Sequence, residues 1–377
     1  MLWHGGHIAV HVTDSTSLAS IGTRNDFGRA VCLGCSILKR LIQRHVECLG
    51  WFFSSPVRWL FEWILGKKRL VILYKLGGEG LGDTLAITTI LNALHRKEGV
   101  RGIVYSKFPA LFENNPQVVL NLDYRSMPRL LRSILKSTFK YLRGERVICV
   151  GSEEWTLGTL PWRRNSGRHD YRRFYFGGLL PDIVDDLDHL RKALPFIVFS
   201  KAERWQYDER FRHLPEKFGV VKASVGASRK RLALAKNWSI EGMQAVVRAR
   251  DVLPFSWVQL GDEAEPTLDG AINLLGRTSL RETLYILSRA QVVLTVEGFI
   301  SHAAAALGRP LVIVFSGYHN PGSFYYGPAK IITAASMPAC APCYQNECTT
   351  PGKPCTSNIS VQQVINACRE VLDVNIK

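Results

Sequence analysis

Glu297, Ser301 and His302 fall within six residues, between two apolar runs. The first run, Val292–Val296, stops at Glu297 and Gly298. An alanine-rich stretch then leads to Gly308-Arg309-Pro310, and the second run covers Leu311–Phe315. This pattern predicts a strand, a helix and a second strand, with the helix N-terminus at the carboxyl end of the first strand. First-turn N–H groups lack partners inside a helix, and the helix dipole adds positive potential, so anions bind there. A carboxylate, a hydroxyl and an imidazole at that point suit a nucleotide or sugar-phosphate site.

Other stretches carry chemistry too. An apolar strand, Arg69–Tyr74, runs into Lys75-Leu76-Gly77-Gly78-Glu79-Gly80-Leu81-Gly82-Asp83. Glycines let the chain turn sharply and let a ligand approach. Asp83, before a helix expected over Thr84–Lys97, is either an N-cap or a general base facing a cleft. The glycine spacing fits neither a dinucleotide fingerprint nor a P-loop. Val225–Ser228 ends another strand. Arg229, Lys230 and Arg231 follow, then Lys236-Asn237-Trp238 before a helix capped by Ser239. Small residues plus a lysine after a strand suit diphosphate contact. Gln259–Glu263 is either a ribose-binding strand end or a solvated acidic loop. Ser279 and Glu282 have capping-box spacing. Cys340, Cys343, Cys348 and Cys355 lie within sixteen residues and either hold a tetrahedral metal such as Zn or Fe or are free thiols.

These residues need two folded units to position them, and 377 residues supply enough chain. Strands expected at 102–105, 118–122 and 146–150 alternate with helical stretches. A second such run begins at Phe218 and continues through 239–249, 257–260, 279–288 and 292–296. Two consecutive arrays of this kind predict two doubly wound α/β domains facing a cleft. The expected division is 1–68 as an extension, 69–205 and 206–358 as the two Rossmann-like domains, and 359–377 as a terminal segment.

A formal charge of +16 favours a polyanionic neighbour, against the plainer reading of a basic soluble surface. The helix expected over 129–143 carries Arg129, Arg132, Lys136, Lys140 and Arg143. The segment 32–68 combines Trp51, Phe52, Phe53, Trp59 and Trp63 with basic residues, which suits either a helix at a membrane interface or one packed on the domain. Of the nine cysteines, Cys32, Cys35, Cys48, Cys149 and Cys368 are scattered and read as reduced thiols. No signal-peptide pattern and no run of ~20 apolar residues is visible. The expected location is cytoplasmic, peripheral to the inner membrane.

Taken in order, these motifs make the chain resemble the glycosyltransferase family 9 heptosyltransferases over roughly 69–372. Gly82-Asp83 matches the family's catalytic Gly-Asp, and Lys236-Asn237-Trp238 its phosphate-binding Lys-x-Trp. Ala227 and Ser228 match its diphosphate contacts, Gly261–Glu263 its residues near the nucleoside, and Gly276–Leu280 its Gly-(Lys/Arg)-Thr-Ser-Leu. Glu297–His302 matches Asp-(Ser/Thr)-Gly-x-x-His in part: the acid is Glu, Gly298 takes the hydroxyl position and Phe299 the glycine position.

The resemblance implies a GT-B fold and an inverting transfer of a sugar, heptose from ADP-heptose, to a lipopolysaccharide core or similar glycan. Asp83 would be the base. Ser228, Lys236, Gly261, Glu263, Gly276, Glu297, Gly298, Ser301 and His302 would bind the donor. Gly80, Gly82, Arg163 and Arg164 would face the acceptor. The last helix, 361–372, would cross back to the first domain. No catalytic cofactor and no nucleic-acid partner is expected, and the membrane surface is anionic. Two alternatives stand beside this. One is a protein glycosyltransferase of the autotransporter type with metal on the cysteines. The other is a non-catalytic basic relative that binds nucleic acid or membrane.

Overall fold

The computed structural model describes residues 70–76, 80–141, 147–151, 194–225, 234–319, 329–343 and 345–374. The expected extension 1–68, the stretch 152–193 with Arg163 and Arg164, and the segment 226–233 with Ser228 lie outside the described residues.

The first unit holds β1 (Leu70–Leu76), α1 (Leu81–Glu98), β2 (Arg101–Ser106), β3 (Val118–Asp123), α2 (Arg129–Tyr141) and β4 (Val147–Gly151). Its strands form a parallel sheet in the order β3-β2-β1-β4. The order reverses at β1, so the glycine-rich loop after β1 leaves the sheet at a topological switch point. Helix α1 starts three residues earlier than the sequence suggested. The amide and hydroxyl of Thr84 both donate to Gly80 O, each at 3.2 Å. Gly82 and Asp83 therefore lie in the first turn of α1 rather than ahead of it. Leu85, Leu91, Ala93 and Leu94 bury one face of the helix.

A helix absent from the sequence reading, α3 (Lys201–Arg210), joins the units. Ser200 and Glu203 close a capping box at its start. The second unit holds β5 (Phe218–Lys222), α4 (Ile240–Arg248), β6 (Ser256–Gln259), β7 (Ile272–Asn273), α5 (Leu280–Arg289), β8 (Val292–Val296), α6 (Phe299–Ala306), β9 (Leu311–Val314), β10 (Lys330–Ile332), the single turn α7 (Pro354–Ser357) and α8 (Val361–Val374). Its parallel sheet runs β10-β9-β8-β5-β6-β7. Here the switch point lies between β5 and β8.

Alternation along the strands sorts the core. Val220, Val293, Leu311 and Ile313 face one way, with Leu284 of α5 and Ile300 and Ala303 of α6. Val221, Leu294, Val312 and Val314 face the other, with Met243 of α4 and Val364 and Val371 of α8. The first layer continues into the first unit through Leu85, Leu91 and Leu94, so α6 is packed between its own sheet and α1. Arg281 of α5, 5% exposed, pins this side. It donates to Glu203 twice at 3.0 Å, to Val198 O at 2.6 Å and to Ala110 O at 3.3 Å.

Helix α8 departs from the expected crossover. Its main contacts are with β8, β9, β10 and α4. The apolar stripe Val364, Ile365, Ala367, Cys368 and Val371 is buried against the second sheet, where it covers a face that would otherwise meet water. No helix among the described residues is long and apolar enough to cross a membrane.

Candidate functional site

Glu297 emerges at the end of β8, beside the switch point, and is 1% exposed. Lys236 closes a 3₁₀ turn (Leu234–Lys236) and reaches Glu297 Oε1 at 2.7 Å. His319, beyond the end of β9, places Nδ1 against the same oxygen. The other oxygen, Oε2, is buried and has no hydrogen-bond partner. Burial alone would raise the Glu297 carboxyl. The charges and hydrogen bonds of His319 and Lys236 outweigh it and bring the group down to about 2. Glu297 is thus a carboxylate at neutral pH with one oxygen held and one buried without a partner. The Lys236 ammonium also stands over the Tyr318 ring, 4.4 Å from its centroid.

Gly298 starts α6 in extended backbone, with open space where a side chain would be. Ser301, 2% exposed, turns back on this residue: its hydroxyl donates to Gly298 O at 2.6 Å. Its oxygen in turn accepts from Gly298 N at 3.4 Å, so the hydroxyl closes the helix start in both directions. His302 is 3% exposed. Burial lowers it to about 3, with Lys236 and His319 adding to the effect and Glu297 opposing it, so the imidazole is neutral at pH 7. A neutral imidazole can still donate one hydrogen bond without adding charge to the pocket.

The two units meet at this group. A Cβ on Gly82 would lie 2.8 Å from His302 Cδ2 and 3.3 Å from Phe299 Cα. Only a glycine allows α1 and α6 to approach so closely at their first turns. Asp83 is the next residue of α1; its side chain lies outside the described part. Gly80, expected at the acceptor side, is exposed at the entry to α1.

Gly261, Glu263 and Gly276 come together beside the end of β6. Gly276 N donates to Gly261 O at 2.9 Å, and both glycines have positive φ, +67° for Gly276 and +157° for Gly261. Glu263 itself is exposed and packs against Gly276. The deeper acid here is Glu265, 4% exposed. It holds Lys222 Nζ and the Asp262 amide (2.8 Å) on one oxygen and Ser224 Oγ (3.1 Å) on the other. Sequence reasoning missed Glu265, Lys222 and His319. For Lys222 the signal was a lysine at the end of an otherwise apolar strand. For His319 it was a polar residue five positions past β9.

The four clustered cysteines line one small cavity of about 30 Å³ together with Ala235, Gly317 and Pro338. All four of these cysteines are free. Burial, with the neighbouring thiols adding to it, raises Cys355. Donor type and number suit a tetrahedral metal. Their arrangement does not: among the described residues no group of three or more His, Cys, Asp or Glu side chains is set to hold a metal ion.

Residues 259–353 match the family model "Glycosyltransferase family 9 (heptosyltransferase)", a span that includes Glu297, His302, His319 and three of the four clustered cysteines, Cys340, Cys343 and Cys348. No curated protein matches the sequence. Among solved structures, the chain is similar to a family 9 glycosyl transferase from Veillonella parvula (17% identity, TM-score 0.57, covering 81% of this chain and 98% of that one). It is also similar to E. coli ADP-heptose lps heptosyltransferase II (15%, 0.55, 82% and 100%). A third is TibC of enterotoxigenic E. coli, an iron-containing dodecameric glycosyltransferase (15%, 0.55, 82% and 80%). At these identities the likeness is one of fold, the GT-B arrangement of two parallel α/β units.

Proposed function

We propose that this chain, a glycosyltransferase of the family 9 type, moves a heptose from ADP-heptose to a glycan of the lipopolysaccharide core, with inversion at the anomeric carbon. The observation that carries the reading is the buried Glu297 carboxylate. It sits at the switch point, its Oε1 is clamped by Lys236 and His319, and its Oε2 awaits a donor. Sugar hydroxyls are such donors, and Lys236 beside them would face the diphosphate. ADP-heptose is supported by the E. coli neighbour whose name includes that donor.

In the proposed step an acceptor hydroxyl oxygen attacks the anomeric carbon, and its proton passes to the Asp83 carboxylate. The bond from that carbon to the diphosphate oxygen breaks and ADP leaves. Negative charge then grows on the diphosphate. Lys236, Ser228 and the first-turn amides of α6 would meet it. Asp83 suits the base role because it is adjacent to Gly82, at the contact of α1 with His302. Gly261, Glu263 and Gly276 would border the nucleoside; Gly80, Gly82, Arg163 and Arg164 the acceptor. The exposed Arg125 and Arg129, together with the charge of +16, suit an anionic membrane surface carrying that acceptor, hence a peripheral cytoplasmic location.

The step needs no cofactor. Zn or Fe on Cys340, Cys343, Cys348 and Cys355 would require the sulfurs to draw together, and metal analysis of the purified protein reads this directly. The test of the main reading is Asp83→Asn with ADP-heptose and a core acceptor. Turnover should fall by ~10²–10⁴ while donor affinity stays as in the wild type. Unchanged turnover removes Asp83 as the base.

A further inference from the structure

Lys236, Glu297 and His319 reach one another from three separate connections, after β5, β8 and β9. The sheet brings these three connections to one end, and the contacts among the connections themselves fix where each side chain lies. The cysteine loop, residues 338–355, touches two of the three connections. Asn346 O accepts a hydrogen bond from Ala235 N at 3.0 Å, one residue before Lys236. Cys343 N donates to Gly317 O at 2.9 Å, two residues before His319.

Ala235 and Gly317 are themselves walls of the cavity that the four thiols line. Gly317 is closely enclosed: a Cβ there would lie 3.0 Å from Ala341 Cβ, 3.1 Å from Cys355 Cβ and 3.5 Å from Cys355 Sγ. The cavity, about 30 Å³, has room for a water or two and no more. A group added to a thiol must therefore displace a wall, and two walls lead straight to Lys236 and His319, which hold Glu297.

We propose that the loop 338–355, through its four thiols, is the positioning element of the donor site: it sets Lys236 and His319 against Glu297, and a change of volume or bonding at the thiols changes how tightly a nucleoside diphosphate is held. The inference rests on the donor-site reading above. It makes the cysteines a sensor for thiol-modifying chemistry, with no metal required.

Calorimetric titration of the full chain with ADP tests it. Gly317→Ala should weaken ADP by about tenfold, the scale of one lost hydrogen bond to a charged group. A lower melting temperature with unchanged ADP affinity overturns the proposal, because packing alone would then explain the glycine. In a second arm the thiols are capped with methyl methanethiosulfonate. ADP affinity should fall similarly and recover in dithiothreitol, and a variant with Cys340, Cys343, Cys348 and Cys355 all replaced by Ala should not respond. Full capping of these thiols without loss of affinity overturns the proposal. A wild-type chain that binds neither ADP nor ADP-heptose overturns the donor-site reading itself, and this inference with it.

Discussion

Two glutamates past strand ends of the same sheet end in different chemical states. Glu265, after β6, is 4% exposed and Glu297, after β8, is 1% exposed. Each faces a lysine, Lys222 at the end of β5 and Lys236 in the connection after it. Glu265 engages both oxygens, with Lys222, the Asp262 amide and Ser224. Glu297 gathers both partners on Oε1 and leaves Oε2 buried without one. A buried polar atom without a partner costs about 1–3 kcal/mol. A fold can carry that cost where a ligand completes the set. Burial and a cationic neighbour therefore do not separate a structural acid from a binding one; the count of satisfied oxygens does.

Glu265→Ala offers the largest break in this comparison. It leaves Lys222, itself 16% exposed, facing no carboxylate, and should cost about 3–5 kcal/mol of stability in denaturant melts. ADP-heptose affinity of the protein that remains folded should hold. A marked loss of affinity would show that Glu265 also serves the donor.

Glu297→Gln should do the reverse. It removes a charge that Lys236 and His319 share, and donor affinity by calorimetry should drop roughly 10- to 150-fold, the scale of a hydrogen bond to a charged group. Wild-type affinity in this variant would make Glu297 a second structural acid and sink the distinction.

Acid sharpens the contrast further. Glu297 is held near 2 in the fold against an ordinary 4.5, and His302 near 3 against 6.5. In both windows the unfolded chain binds more protons, so stability rises with pH. The contribution of Glu297 is complete above 4.5 and is lost as pH falls toward 2. The penalty from His302 is absent above 6.5 and grows as pH falls toward 3. Melting temperature should therefore drop between pH 6.5 and 4.5, and His302→Gln should make that drop shallower. Identical slopes would mean His302 is not the neutral group described here.

The smallest effect belongs to Gly298→Ser. The backbone there is extended and a Cβ meets nothing within 4 Å. A serine at this N-cap should fit and add a few tenths of a kcal/mol in thermal melts. A clear destabilisation would show that the space beside Glu297 is not free.

Much of this was legible in the chain because its signals are local. The apolar run 292–296, the Glu-Gly stop and the alanine-rich helix mark themselves by period and composition, and the structure returns them closely. Ser279 and Glu282 cap α5 as their spacing predicts. Helix α3 was missed because it is strongly polar and buries little beyond Tyr207, so it carries scant apolar period. Glu265 was missed because its lysine lies 43 residues away in sequence.

Local sequence thus determined where strands stop, which helices begin on polar residues, and which lysine, acid and histidine stand at those junctions. The register of six parallel strands decided the rest. It brought Lys236, Glu297 and His319 together from three connections, gave Glu265 a full set of partners, and set Gly82 of one unit against His302 of the other. Hydrogen bonding and ion pairing depend on distance in space, and separation along the chain does not report that distance until the sheet has formed.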